Sequence, residues 1–159
     1  MCKSYVAYTD GSLKGSPGNT SGGWASIILE KGKVIKKLYS GLKNTTSNRM
    51  EITAVLETLK YFKEPSNIVI YSDSQYVVNS INMGWVKHWF EKEDYEKKNI
   101  DLWFEILDLL EFHNVTLIWV KGHNVNKWNN YADMLAQHAA CCLNLKEDHV
   151  KAITIQETG

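Results

Sequence analysis

The sequence predicts one α/β domain: a mixed five-stranded sheet, its first three strands antiparallel, with helices on both faces. Three observations carry this. Strand-like and helix-like segments follow one another in the order βββαβαααβα. Lys31-Gly32 joins the second and third strands tightly enough for an antiparallel meander. Asn67–Ser72 is a continuous apolar run, as expected of a central strand covered on both faces. At 159 residues the chain fits a single domain with a real core.

The first strand lies within Tyr5–Ser12, where Asp10-Gly11 is read as the turn that ends it. Leu13–Ser21, rich in Gly, Ser, Pro and Asn, reads as a loop, and Gly22–Leu29 and Val34–Leu42 read as strands. The run 45–48 (Thr-Thr-Ser-Asn) offers helix caps, and Ile52, Val55, Leu56 and Leu59 mark a buried stripe running to about Phe62. A helix from Ser74 to Ile81 is broken at Met83-Gly84, and Trp85–Lys92 reads as a short helix. Ile100–Glu111 is amphipathic, with Leu102, Trp103, Ile106, Leu109 and Leu110 on its apolar side. Val115–Val120 is the fifth strand, and Lys121–Trp128 a polar loop. A last helix from Asn129 or Asn130 carries a stripe of small residues, Ala132, Leu135, Ala136, Ala139, Ala140 and Leu143, suited to close packing on a sheet. Residues 1–145 are thus read as the domain and 146–159 as a loose tail.

Composition narrows the functional classes. Hydrophobic residues make up 44% and charged residues 23%, which argues against disorder. No apolar run reaches the length of a membrane span, and the N-terminus lacks a signal-peptide pattern, so no membrane partner is expected. Cys2 and the adjacent Cys141-Cys142 form neither a disulfide framework nor a spaced ligand set, which fits a reducing, intracellular, cytoplasmic setting. Lys plus Arg and Asp plus Glu both total 18, so any nucleic-acid binding must come from a local patch. Nothing points to an obligate oligomer, and a monomer is expected.

Four acids sit at or near the ends of elements. Asp10, at the tip of the first strand, is placed to hold a cation at the sheet edge, or else to bond its own backbone in an Asp-Gly turn. Glu51 suits the positive end of a helix dipole. Asp73 could cap the helix at Ser74, and Asp133 follows Asn130 at a capping distance. Clustered carboxylates repel unless cations lie between them, so these same residues could equally form a metal site.

Five blocks in order resemble a known family: Thr9-Asp10-Gly11-Ser12; Thr45 to Glu51 (Thr-Thr-Ser-Asn-Arg-Met-Glu); Ser72 to Val77 (Ser-Asp-Ser-Gln-Tyr-Val); Trp119 to His123 (Trp-Val-Lys-Gly-His); and Asn129 with Asp133. Together, over Tyr5 to Leu143, they resemble ribonuclease H type 1. That resemblance implies a ribonuclease H-like fold and cleavage of the RNA strand of RNA–DNA hybrids, leaving 5′-phosphate and 3′-hydroxyl ends. It implies Asp10, Glu51, Asp73 and Asp133 as catalytic, metal-binding acids, with Asp10 shared between two ions, Glu51 and Asp73 mainly on one and Asp133 on the other. The ions would be Mg²⁺, with Mn²⁺ as a possible substitute, about 4 Å apart. His123 matches a histidine that handles proton transfer and product departure, a task suited to a group titrating near neutrality.

The resemblance also implies the substrate contacts. Asn48 and Gln75 would meet the minor groove near the cut, with Gly11, Ser12 and Glu51 close to ribose, where the 2′-hydroxyl tells RNA from DNA. Thr46 would bind a phosphate of the DNA strand, Trp85 would place its ring on a deoxyribose, and Asn129 completes the substrate-binding set. Trp89 is left to packing. Phe90–Asn99 is shorter and more mixed in charge than the basic protrusion of well-studied bacterial members, which should weaken affinity and flatten its salt dependence. Met1 directly ahead of the first strand favours a free-standing protein over a reverse-transcriptase domain. The intact set of four acids argues against a silent hybrid-binding module.

Overall fold

In the computed structural model, which describes residues 2–121, 126–142 and 145–148, the first two strands form one long hairpin. β1 (Ser4–Ser16) and β2 (Asn19–Glu30) pair antiparallel from Val6↔Leu29 to Ser16↔Asn19. Asp10-Gly11 therefore does not end β1, and the expected loop over Leu13–Ser21 is mostly hairpin arms. The reversal falls at Pro17-Gly18, where Gly18 takes the left-handed φ of +85°. β3 (Lys33–Lys43) follows through the Lys31-Gly32 turn and pairs with β2.

The other strands are parallel to their neighbours. β4 (Asn67–Ser72) lies beside β1, β5 (Asn114–Trp119) beside β4, and a two-residue β6 (Lys146–Glu147) beside β3. The order is β5-β4-β1-β2-β3-β6, so the expected five-stranded sheet gains one short strand. That strand comes from the segment expected to be a loose tail. Residues 149–159 lie outside the described ones.

Alternation along the strands feeds two faces. Ala7, Ile28, Ile68 and Ile70 pack with Ile52, Val55, Leu56 and Leu59 of α1 (Ser47–Tyr61), the stripe expected from spacing. The same layer takes in α2 (Gln75–Asn82), α3 (Trp85–Glu91) and α4 (Ile100–Phe112), with Trp103 and Ile106 fully buried. On the other face Tyr8, Ile27 and Leu29 meet α5 (Lys127–Ala140) through Ala132 and Leu135. Close approach here depends on glycine: a Cβ on Gly23 would strike Ala136 and Ala140, and one on Gly41 would lie 2.6 Å from the Ala139 carbonyl oxygen. The stripe's Leu143 lies outside the described residues.

Two helix boundaries follow from caps. α2 and α3 are separated by Gly84 in a left-handed conformation, as Met83-Gly84 predicted. α5 begins at Lys127, earlier than Asn129 or Asn130, because the Asn126 side chain accepts from the N–H groups of Trp128 and Asn129. Among the described residues no helix is long and apolar enough to cross a membrane.

Candidate active site

Pairing between β1 and β4 stops at Thr9↔Ser72, so the next residues, Asp10 within β1 and Asp73 just past the carboxyl end of β4, emerge side by side where the two parallel strands part. This is where α/β sheets commonly bind ligands. Gly11 then sets the position of α1: a Cβ there would lie 2.7 Å from the Glu51 nitrogen and 2.9 Å from the Met50 carbonyl carbon. Without it the helix rests on β1, and Gly11 N–H donates to Glu51 Oε1 and to Asp10 Oδ1. Gly11 thus serves close packing and leaves β1 extended. From the opposite face α5, seated on Gly23 and Gly41, brings Asp133, Asn129 and Asn130 to the same cleft.

The cleft holds about 320 Å³ and is lined by Asp10, Gly11, Ser47, Asn48, Glu51, Asp73, Ser74, Asn129, Asn130 and Asp133. Carboxylate oxygens of Asp10, Glu51 and Asp73 lie within 4.8 Å of one another. The carboxyl of Asp133 interacts with that of Asp10, and its Oδ2 accepts from Gln137 Nε2 at 3.0 Å.

Burial and crowding dominate the electrostatics. Asp10 is pushed up to about 11, first by burial and then by the charges of Glu51 and Asp73. Burial pushes Glu51 up to about 8, against the bond from Gly11. Asp73 is also raised, again chiefly by burial. Two buried oxygens, Glu51 Oε2 and Asn129 Oδ1, have no hydrogen-bond partner among the described residues. Orphaned acceptors beside crowded carboxyls are costly alone and fit a hard divalent cation with oxygen ligands.

Local capping does not account for these acids. Ser74, not Asp73, caps α2 by accepting from Val77 N–H at 3.2 Å. Glu51 is the fifth residue of α1, beyond the first turn, and Thr46 is the cap. Asp133 lies well inside α5, which Asn126 caps. Trp119 Nε1–H donates to the Asp73 carbonyl at 3.1 Å and steadies that strand end.

The sequence profile of the RNase H family matches residues 2–141. The chain belongs to the RNase H family. It is 45% identical over 141 residues to a ribonuclease H of Caldicellulosiruptor saccharolyticus, covering 85% of this chain and 94% of that protein. The fold is similar to LC9-RNase H1, described as a type 1 RNase H with the type 2 active-site motif. The TM-score is 0.79 at 26% identity, over 88% of this chain and 73% of the other. The protease-reverse transcriptase of Prototype Foamy Virus is similar over 88% of this chain and 21% of its own, with a TM-score of 0.78 at 28% identity.

Within this RNase H domain the cleft gathers Asp10, Gly11, Asn48, Glu51, Asp73, Asn129 and Asp133. The remaining expected contacts stand outside its lining. Ser12 is half-buried two residues along β1. Exposed Thr46 borders a neighbouring depression between the hairpin tip and α1. Gln75 opens α2, exposed, and Trp85 opens α3, 40% exposed, whereas Trp89 packs on the core. His123 lies outside the described residues. Ser47, Ser74 and Asn130 also line the cleft and were not singled out from sequence. Small polar residues beside helix starts carry the same local signal as caps.

Proposed function

We propose that this RNase H family member is an endoribonuclease that hydrolyses the RNA strand of RNA–DNA hybrids with two divalent ions, Mg²⁺ or in its place Mn²⁺. The observation that carries this reading is the packing of Asp10, Glu51 and Asp73 within 4.8 Å, beside Asp133, in a cleft open to solvent. These four residues would hold the ions. When bound, such ions supply Lewis acidity at the scissile phosphate and lower the cost of forming the attacking and departing oxygens. Attack of a water oxygen on phosphorus with rupture of the P–O3′ bond, the departing O3′ taking up a proton, would leave 5′-phosphate and 3′-hydroxyl ends.

The chain's own groups bind and orient. Gly11 N–H fixes the Glu51 carboxylate, so the acid set is preorganised before substrate arrives. Asn48, at the cleft wall, and Gln75, at the head of α2, would donate to and accept from the minor groove, with Gly11, Ser12 and Asn129 near ribose. Thr46 would take a phosphate of the DNA strand and Trp85 a deoxyribose face. His123 would carry protons during product departure.

The test is incubation of a hybrid labelled on either strand, beside DNA and RNA duplexes, with Mg²⁺, with EDTA, and with Asp10→Asn. The expected result is Mg²⁺-dependent cutting of the hybrid's RNA strand alone, lost in the variant. Binding without cutting in both Mg²⁺ and Mn²⁺ would replace the nuclease reading with a silent hybrid-binding module.

A further inference from the structure

Arg49 sits in the first turn of α1 between Asn48 and Glu51, yet is only 3% exposed. All five of its N–H donors are used. Nη1 and Nη2 fork onto Asp101 at 2.9 and 2.8 Å, Nη1 also reaches Asn99 Oδ1 at 3.3 Å, and Nε and Nη2 fork onto Asp148 at 2.9 and 3.0 Å. Asp148 follows β6 directly. Its side chain also accepts from Thr45 Oγ1 at 2.6 Å, and its N–H donates to the Lys43 carbonyl at 3.0 Å. Beside it Glu147 accepts from Asn44 Nδ2 at 2.7 and 2.9 Å. Two paired residues do not hold a strand by themselves. The Asp148 carboxylate joins these bonds in seating β6, and it alone among them ties the strand to Thr45 and Arg49 at the start of α1.

The start of α1 thus has two separate anchors. Glu51 is held from the sheet by Gly11. The segment bearing Thr46 and Asn48 is flanked on one side by Thr45, tied to Asp148, and on the other by Arg49, tied to the same carboxylate. We propose that Asp148 is a positioning residue for substrate binding: through Arg49 and Thr45 the C-terminal strand fixes the turn that presents Thr46 and Asn48 to the nucleic acid. The proposal rests on the hybrid-cleaving reading of the cleft. Removing the Asp148 charge leaves Arg49 its fork on Asp101, so the guanidinium stays neutralised and the fold survives. In Asp148→Asn a single neutral oxygen replaces two charged ones, so the Thr45–Arg49 turn loses the Nη2 bond and the charge assistance of its outer tie, while the Glu51 anchor is untouched.

The separation of anchors sets the test. Steady-state cleavage of an RNA-labelled hybrid in Mg²⁺ is compared for wild type, Asp148→Asn, Thr45→Val and Asp148→Glu, each well below its own Tm. Asp148→Asn and Thr45→Val should raise KM about five- to tenfold with kcat and the Mg²⁺ midpoint nearly unchanged, and Asp148→Glu should recover most of the loss. A lowered Tm with KM unchanged overturns the proposal, as does a fall in kcat at constant KM. Hybrid Kd in the Asp10→Asn background, with and without Asp148→Asn, reads binding apart from turnover. An equal Kd in that pair overturns the positioning role, whereas absence of cleavage by the wild type overturns only the functional reading.

Discussion

Replacing Asp10 with asparagine should make the metal-free protein more stable while abolishing its activity. Asp10 and Glu51 are 3% and 6% exposed, and their oxygens share a 4.8 Å cluster with those of Asp73. Two unit charges at that separation, in an effective dielectric of about 20, repel by about 3 kcal/mol. Proton uptake relieves part of this, because Asp10 is pushed up to about 11 and Glu51 up to about 8. A gain of about 1–3 kcal/mol therefore remains for the variant, or about 3–10 °C in Tm for a chain of this size. The sign of the pH dependence follows from the direction of the shifts. Carboxyls whose folded pKa lies above the unfolded values of 3.8 and 4.5 leave stability intact below about pH 4. It is then lost as pH rises through the folded values, so wild type in EDTA should soften from pH 4 to pH 8 and beyond, and Asp10→Asn should soften less. The assay is thermal unfolding by circular dichroism in EDTA at pH 5, 6.5 and 8, repeated with Mg²⁺, which should raise wild type more than the variant. A variant that melts at or below wild type in EDTA at pH 8 would refute the crowded-carboxylate argument.

Gly11→Ala should cost about 1–3 kcal/mol in urea unfolding, because the new methyl would lie 2.7 Å from the Glu51 nitrogen. It should also raise the Mg²⁺ midpoint of activity, since α1 carries Glu51 away from Asp10; an unchanged midpoint would deny Gly11 that role. Gly23→Ala should destabilise by a similar about 1–3 kcal/mol, by lifting α5 off β2. Losing Asp133 from the cleft should lower kcat at saturating hybrid, and full activity in the folded variant would contradict this. Trp85→Ala should raise KM about fivefold while leaving the slope of log affinity against log salt unchanged, because an uncharged ring releases no counterion. A shallower slope would assign the contact to charge.

Much of this fold could be read from the chain because its signals are local. The α1 stripe of Ile52, Val55, Leu56 and Leu59 and the apolar run Asn67–Ser72 each declare an element from their own periodicity, and both stand where expected. Errors arose where one local signal has two physical causes. Asp10-Gly11 has the composition of a turn, but the glycine is there to admit Met50 and Glu51, and β1 runs on to Ser16. Gly15, Pro17 and Gly18 make the hairpin tip look like loop, yet cross-strand pairing carries the arms to Ser16↔Asn19. Asn126 looks like part of a polar loop and is a cap. Lys146-Glu147 has no strand pattern at all, and its place is decided by Asp148 meeting Arg49 across 99 residues of sequence. Singly, Asp10 looked like a turn residue, Glu51 like a dipole partner, and Asp73 and Asp133 like caps. The order of the five sequence blocks pointed to them together, and their assembly from β1, α1, the residue after β4 and α5 is long-range, beyond the reach of any local pattern.

The central claim is that these four carboxylates form a divalent-metal site facing bound hybrid. Crystals of Asp133→Asn grown with a short RNA–DNA hybrid and Mn²⁺, measured above the manganese absorption edge, test it most directly. The account predicts anomalous density bridging Asp10, Glu51 and Asp73 beside a phosphate of the RNA strand. Hybrid lodged in the cleft with no anomalous density at those carboxylates, or manganese bound elsewhere alone, would contradict it.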